Sequence, residues 1–404
     1  MLFLKKIIAL FLVFAIFTIN VCAEKTVSSE CDISDIDQPL ETVQTNTEVG
    51  TVLDIKAKSV ILMEVNTAQT LYENNSDEKL SPASITKIMS LLLVMEALQR
   101  GTLSLETVIY ASAHACSMGG SQIWLEEGEG MTVDELLKAT VIASANDACV
   151  ALGEAVAGSE EGFVALMNQR AKELGMSNTE FKNCTGLDAE GHLTSAHDVA
   201  IMSCELLKHE LIKKYSTVWM DTLRDGESEL VNTNKLVRFY EGTTGLKTGT
   251  TSQAKYCLSA SAKRDGLELV AVVMAGESSN DRFNGAKKML DYGFANYSFI
   301  KLDANLKNNL TVNLQKGTKK QVEVNSDEVA NVLLMKNETG EIKRTIEWNK
   351  NIEAPIEKGD VLGYVNIYVG KAQVGRLKIF ANESVEKATF WHAFCQIFKN
   401  LFKL

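Results

Sequence analysis

Between Ile85 and Leu98 almost every position is apolar: Ile85, Ile88, Met89, Leu91, Leu92, Leu93, Met95 and Leu98 recur at helical spacing. The pattern predicts a helix buried on every side, with Pro82 suited to its opening turn. Ahead of it, two strand-like runs over 59–65 and 69–72 flank Asn66-Thr67-Ala68 and predict a hairpin. Behind it the pattern turns amphipathic. A helix over 132–143 starts on a Thr132/Glu135 capping pair, a second is capped by Asp147 and runs to Ala157, and a third over 160–174 is stopped by Gly175. Ser144-Ala145-Asn146 separates the first two. Farther on, Lys247-Thr248-Gly249-Thr250 opens a strand that continues through 256–262, Asp265-Gly266 turns the chain, and 267–275 returns before a helix over 281–292.

Beyond Leu302 the period shortens to two. Runs over 310–314, 321–324, 329–335, 342–348, 361–369 and 373–380 are punctuated by Lys316-Gly317, Glu338-Thr339-Gly340, Lys358-Gly359-Asp360 and Gly370-Lys371. They predict a small β-sandwich, read as a stalk or docking module because it holds no catalytic constellation. In the tail, Phe390, Trp391, Phe394, Ile397, Phe398, Leu401 and Phe402 fall on one helical face opposite Gln396, Lys399, Asn400 and Lys403. Such a stripe predicts an amphipathic helix lying on the outer leaflet of a membrane rather than crossing it.

The amino terminus changes the setting. Lys5 and Lys6, the apolar stretch 7–19 and Val21-Cys22-Ala23 read as a secretory signal cut after Ala23, so the mature protein is expected outside the cell, at the extracytoplasmic face of the membrane. Residues 24–54 are polar and without periodicity, a linker. With 404 residues, 46% of them hydrophobic and 23% charged, the chain is globular and long enough for two domains. A net charge of −11 argues against nucleic acid as a partner. Eight cysteines are scattered singly with no Cys-x-x-Cys, which favours mostly free, buried thiols over a disulfide framework or zinc. His192 and His197 lack further ligands in reach of sequence reasoning, so neither a metal nor a cofactor is expected.

Candidate chemistry sits at the ends of these elements. Ser84 and Lys87, three residues apart at the start of the buried helix, share a face and form a hydroxyl nucleophile beside an amine. Burial, a second nearby cation and the helix N-terminus all favour a neutral lysine and an activated serine. Alone the tetrad is weak, since a chain of this length holds roughly two by chance. Ser144 and Asn146 in the interhelical break can face the same cleft, one to relay a proton and one to hold Lys87 or a substrate carbonyl. On the strand, Gly249 leaves a flat wall for a peptide backbone, the N–H of Thr250 can meet an oxyanion, and Lys247 with the Thr248 and Thr250 hydroxyls can meet a carboxylate.

That ordered set of three motifs is similar to those of penicillin-binding proteins and class A β-lactamases. Pro82-Ala83-Ser84-Ile85-Thr86-Lys87, Ser144-Ala145-Asn146-Asp147-Ala148-Cys149, Asn183-Cys184-Thr185-Gly186-Leu187 and Gly245-Leu246-Lys247-Thr248-Gly249 resemble the D-alanyl-D-alanine carboxypeptidases, over essentially the whole mature chain. The resemblance implies an α+β fold: a serine β-lactamase/transpeptidase-like domain of helices and antiparallel sheet over 55–299, a β-sandwich over 300–381, and the tail helix over 382–404. It implies that Ser84 attacks the penultimate D-alanine carbonyl of a peptidoglycan pentapeptide stem, that Lys87 takes the proton and that Ser144 returns one to the departing D-alanine. Asn146 would position lysine and substrate, Lys247 would polarise the site, and the N–H groups of Ser84 and Thr250 would form the oxyanion hole. Thr248 would bind the terminal carboxylate with Arg282, and β-lactams would acylate the same serine. Thr250 departs from members that carry histidine there. Gly119-Gly120-Ser121-Gln122 also matches a family loop. The alternatives are a β-lactamase, disfavoured because the stretch after Asn146 lacks that family's acidic loop, and a non-catalytic penicillin-binding sensor or peptidoglycan-binding protein.

Overall fold

The computed structural model describes residues 53–336 and 341–391. The signal peptide, nearly all of the linker and the tail stripe from Phe394 onward therefore lie outside the described residues. Strands β1 (Ser59–Glu64) and β2 (Thr70–Asn74) come first, followed by two small ribbons: β3 (Val108–Tyr110) with β4 (Gly130–Thr132), and β5 (Met220–Leu223) with β6 (Ser228–Val231). Next come β7 (Thr243–Thr251), β8 (Lys255–Arg264) and β9 (Leu267–Gly276), which join the first pair in an antiparallel sheet ordered β2-β1-β9-β8-β7.

Every residue of β1 and β9 is buried, because both faces of the sheet are covered. Alternation sorts their side chains: Ile61, Met63, Val270, Val272 and Met274 enter one core, whereas Val60, Leu62, Leu269, Ala271 and Val273 enter the other. Helix Lys87–Gln99 fills the first core with Ile88, Met89, Leu92 and Val94, packed among helices Asn146–Ala157, Glu160–Glu173 and Ala196–Leu207. Helix Ser279–Asn296 covers the second core with Phe283, Ala286, Met289 and Leu290. This leaves β7 as the sheet edge next to the helical lobe.

Five local expectations change, the first being the tail helix expected from residue 382: residues 382–389 are not helical, and Val385 and Lys387 bridge to Ile356 and Gly317. Ser84 lies not in an α-helical turn but in a 3-10 turn, Ala83–Thr86, ahead of the helix. Three residues per turn eclipse positions i and i+3, which stacks Ser84 over Lys87 more directly than an α-turn would. The strand expected to run from Lys247 to Ala262 is two, β7 and β8, because residues 252–254 reverse the chain and pair Thr248 with Leu258. Asp147 is not the helix cap: it stands inside the first turn, fully buried, and its carboxylate accepts the N–H groups of Ile123, Leu125 and Ala148. The expected domain limit at 299–300 falls inside an unforeseen strand, β10 (Tyr297–Asp303).

That strand pairs with β13 (Val329–Met335). Around this ribbon the second domain is built from β11 (Thr311–Asn313), β12 (Gln321–Asn325), β14 (Ile342–Trp348), β15 (Val361–Val369) and β16 (Ala372–Ala381), a sheet ordered β11-β12-β16-β15-β14. Leu302, Val332, Val365, Ile367, Leu377 and Ile379 fill the space between ribbon and sheet. The α+β fold with a following β-sandwich is thus present. No helix among the described residues is long and apolar enough to cross a membrane.

Candidate active site

Close backbone approach brings the serine turn and β7 together. A Cβ on Gly249 would fall 2.9 Å from Pro82 O and 3.0 Å from Ser84 N, so only glycine lets β7 lie against the serine turn. Gly186, at φ +87°, faces the same turn from the helical lobe, and a side chain there would overlap the Ala83 carbonyl. Gly249 thus admits the Ser84 turn itself, in addition to leaving the wall the sequence suggested. Ala83, immediately before the serine, holds φ +50°, a strained value for a residue with a Cβ.

Lys87 is completely buried, and its Nζ donates to Ser84 Oγ at 3.2 Å, Asn146 Oδ1 at 2.5 Å and Thr185 O at 2.8 Å. Burial lowers its pKa, against a smaller opposing pull from Cys149, Cys184 and Asp147. An ammonium would use three hydrogens on these three acceptors. A neutral amine has two hydrogens and a lone pair, and Asn146 Oδ1 and Thr185 O can only accept. Ser84 is the sole partner with a hydrogen to return, so deprotonation of Lys87 turns the Ser84 hydroxyl toward the amine.

Asn146 opens its helix and is fixed from both ends, its Nδ2 donating to Gly119 O at 2.6 Å and its N–H to Ser121 O at 2.7 Å. The 119–125 loop is held in turn by Asp147 and by Arg224, which donates to Ile123 O and pairs with Glu129. Ser144 ends a π-turn, Ala139–Ala143, at φ +64°. π-turns concentrate at functional sites because they displace the residues that follow. Ser144 Oγ makes no hydrogen bond to Ser84 or Lys87 among the described residues.

On the sheet side, Lys247 is 1% exposed and its Nζ reaches Thr248 O at 3.3 Å. Burial holds its pKa well below the ordinary value, and the Arg282 cation, with Lys87 whenever that amine is protonated, pushes the same way. Arg282 commits Nη1 to Gly249 O, Thr250 Oγ1 and Cys257 O, bracing the end of β7 from the start of its helix. Thr248 Oγ1 donates to Thr233 Oγ1 at 2.7 Å.

Ser84, Lys87 and Asn146 are therefore joined directly, and Gly249, Thr250 and Arg282 form a second connected group beside Lys247. Two contributors carried no assigned role in the sequence reading. Thr185 acts through a backbone carbonyl, for which only the neighbouring Gly186 offered a hint of close approach. Thr233 lies between two buried asparagines, Asn232 and Asn234, and has no motif of its own. His192 proves to be a buried pin, its Nε2 2.9 Å from Thr86 Oγ1 and its Nδ1 accepting the Lys182 N–H. Cys149, Cys184, Cys204 and Cys257 are free and buried, and Cys116 is free and partly exposed.

Residues 43–278 match the family described as D-alanyl-D-alanine carboxypeptidase, and residues 294–387 match the C-terminal domain of penicillin-binding protein 5. A relative from Bacillus subtilis strain 168, D-alanyl-D-alanine carboxypeptidase DacF, is 45% identical over 339 residues, covering 83% of this chain and 87% of the relative. The structure of penicillin-binding protein 5 from Haemophilus influenzae aligns with a TM-score of 0.71 at 28% identity, over 84% of this chain and all of that one. Penicillin-binding protein D2 from Listeria monocytogenes, solved in its ampicillin-bound form, aligns with a TM-score of 0.55 at 29% identity, over 60% of this chain and all of that one.

Proposed function

The chain belongs to the D-alanyl-D-alanine carboxypeptidase family, and from that membership we propose how its residues divide the reaction. It is a serine-type D-Ala-D-Ala carboxypeptidase, a hydrolase that acts on peptidoglycan stem peptides and binds β-lactams. Ser84 Oγ attacks the carbonyl carbon of the penultimate D-alanine while its proton passes to the neutral Lys87 amine. The N–H groups of Ser84 and Thr250 receive the oxyanion. The C–N bond then breaks, the departing D-alanine amine takes a proton through Ser144, and water attacks the acyl-enzyme to free Ser84. Asn146 keeps Lys87 in place. Lys247, Thr248 and Gly249 receive the carboxylate end of the stem, with Arg282 bracing the strand behind them. A β-lactam is attacked by the same serine.

The observation that carries this reading is the Lys87 amine, buried among three acceptors of which only Ser84 can reverse its bond. A β-lactamase reading needs a second base, beyond Lys87, to activate the deacylating water. Among the described residues no carboxylate bonds Ser84, and Asp188, the acid nearest the Gly186 turn in sequence, accepts instead from Thr251. The test is D-alanine release from a peptide ending in Lys-D-Ala-D-Ala by the mature protein, Ser84→Ala and Lys87→Arg. Release is expected from the first alone, since a guanidinium does not deprotonate at working pH. Release by Ser84→Ala would overturn the assignment of the nucleophile.

Export through residues 1–23 and attachment of the tail to the outer leaflet through Phe390, Trp391, Phe394, Ile397, Phe398 and Leu401 complete the proposal. Phe390 and Trp391 are 72% and 68% exposed, which is consistent with that role.

A further inference from the structure

We propose that Glu160 is a positioning residue for acylation: it fixes the segment 183–187, so that the Thr185 carbonyl aims the lone pair of the Lys87 amine at Ser84. This rests on the carboxypeptidase reading above. A neutral amine has two hydrogens and one lone pair. Asn146 Oδ1 and Thr185 O can only accept, so they take both hydrogens and leave the lone pair facing Ser84 Oγ. Asn146 is itself anchored on Gly119 O. The place of Thr185 O therefore decides where the second hydrogen goes, and with it the direction of the base.

Thr185 belongs to neither a helix nor a strand. Bonds within its segment come from Asn183, whose Oδ1 accepts the Thr185 and Gly186 N–H groups at 3.2 and 2.7 Å and whose Nδ2 donates to Leu187 O at 2.9 Å. Bonds to the helical lobe converge on Cys184. Its carbonyl accepts Ser90 Oγ at 2.6 Å and Cys149 Sγ at 3.3 Å, from two helices, and its N–H donates to Glu160 Oε1 at 3.0 Å, from a third. The other carboxylate oxygen, Oε2, lies 2.6 Å from His114 Nε2, and because a carboxylate only accepts, the imidazole proton stands on that nitrogen. An acid in the first turn of a helix ordinarily serves the helix dipole. Glu160 departs from that: its side chain is 13% exposed, and its oxygens reach Cys184 and the short helix Ala113–Cys116. The groups whose charge acts on Lys87 are Cys149, Cys184 and Asp147, so Glu160 contributes an acceptor at the right reach rather than a field.

Two conservative variants separate reach from charge. Glu160→Gln loses the charge but keeps an acceptor oxygen at the same distance, and His114 can adopt its other tautomer to receive the amide N–H. Glu160→Asp keeps the charge but withdraws the carboxylate by one methylene. In rapid-mixing acylation by benzylpenicillin, the concentration dependence of the rate yields the limiting rate k2 and the dissociation constant K separately. Glu160→Asp should lower k2 about ten- to a hundredfold, the order that an ångström of misplacement of a reacting group costs, and leave K unchanged. Glu160→Gln should retain most of k2. The reverse order would make the effect one of charge and overturn the inference, as would equal k2 in the two variants. A K that weakens as much as k2 falls in Glu160→Asp, the mark of a generally loosened site, overturns it too. Each of these results, with a wild type that is acylated, leaves the carboxypeptidase reading standing. A wild type that benzylpenicillin does not acylate overturns that reading, and this inference with it.

Discussion

His192 Nδ1 accepts a backbone N–H, so its ring proton resides on Nε2 and goes to Thr86, between the two residues of the Ser84–Lys87 pair and itself buried. A protonated ring would need a second acceptor that Lys182 N–H cannot be. Burial accordingly pushes its pKa down to about 4 from an ordinary 6.5. The unfolded chain then binds this proton first, and folding stability is lost as pH falls from about 6.5 towards 4. The loss amounts to roughly 3 kcal/mol from this residue. His114 and His197 have pKa values raised by Glu160 and Asp198 and act in the opposite sense. The difference between wild type and His192→Gln in denaturant midpoints at pH 7 and pH 5 isolates the effect, and equal acid sensitivity in the two would refute it. At this scale the sequence exposed what chemistry demands: a hydroxyl three residues from an amine. It hid residues that act through a carbonyl, as Thr185 does, or through a hydroxyl fifteen positions away, as Thr233 does, because no periodicity marks such partners.

Elements were legible where one face met water and the other a core. The second-domain strands show this, with residues 321–325 of β12 alternating strictly between exposed and buried. Legibility failed where both faces are covered: β7 and β8 read as one strand because Thr251 to Ala254 carries no glycine or proline to announce the reversal. The same crowding gives β7 its sensitivity. Gly249→Ala would press a methyl group against Pro82 O, the Ala83 side chain and Ser84 N, the atoms that aim the nucleophile. Misplacement of a reacting group by an ångström can cost about a hundredfold, so penicillin acylation should fall by that order. The thermal midpoint should fall as well, because Gly249 is buried and the added methyl must displace backbone. Acylation at the wild-type rate would show that the turn yields to the methyl group without harm.

For the whole molecule, the signal-like start and the aromatic tail are the features on which the proposal of work at a membrane surface outside the cell rests. Deleting residues 388–404 is expected to move the signal-cleaved enzyme from the membrane pellet to the supernatant on ultracentrifugation; a truncated protein that still pellets would rule out the tail as the attachment. What the sequence could not foretell is how the two domains meet. On the β10–β13 ribbon, Tyr297, Phe299, Leu333 and Met335 face the core under helix Ser279–Asn296, while Ile300, Leu302, Val332 and Leu334 face the sandwich. Such a ribbon is apolar on both sides, so the expected limit at 299–300 falls on a strand that serves both cores. A wall common to two cores also ties their fates together. Neither can melt without uncovering the other, so a β-lactam held covalently on Ser84 would slow amide exchange in the distant strands β15 and β16, and the sandwich would register an antibiotic it never touches.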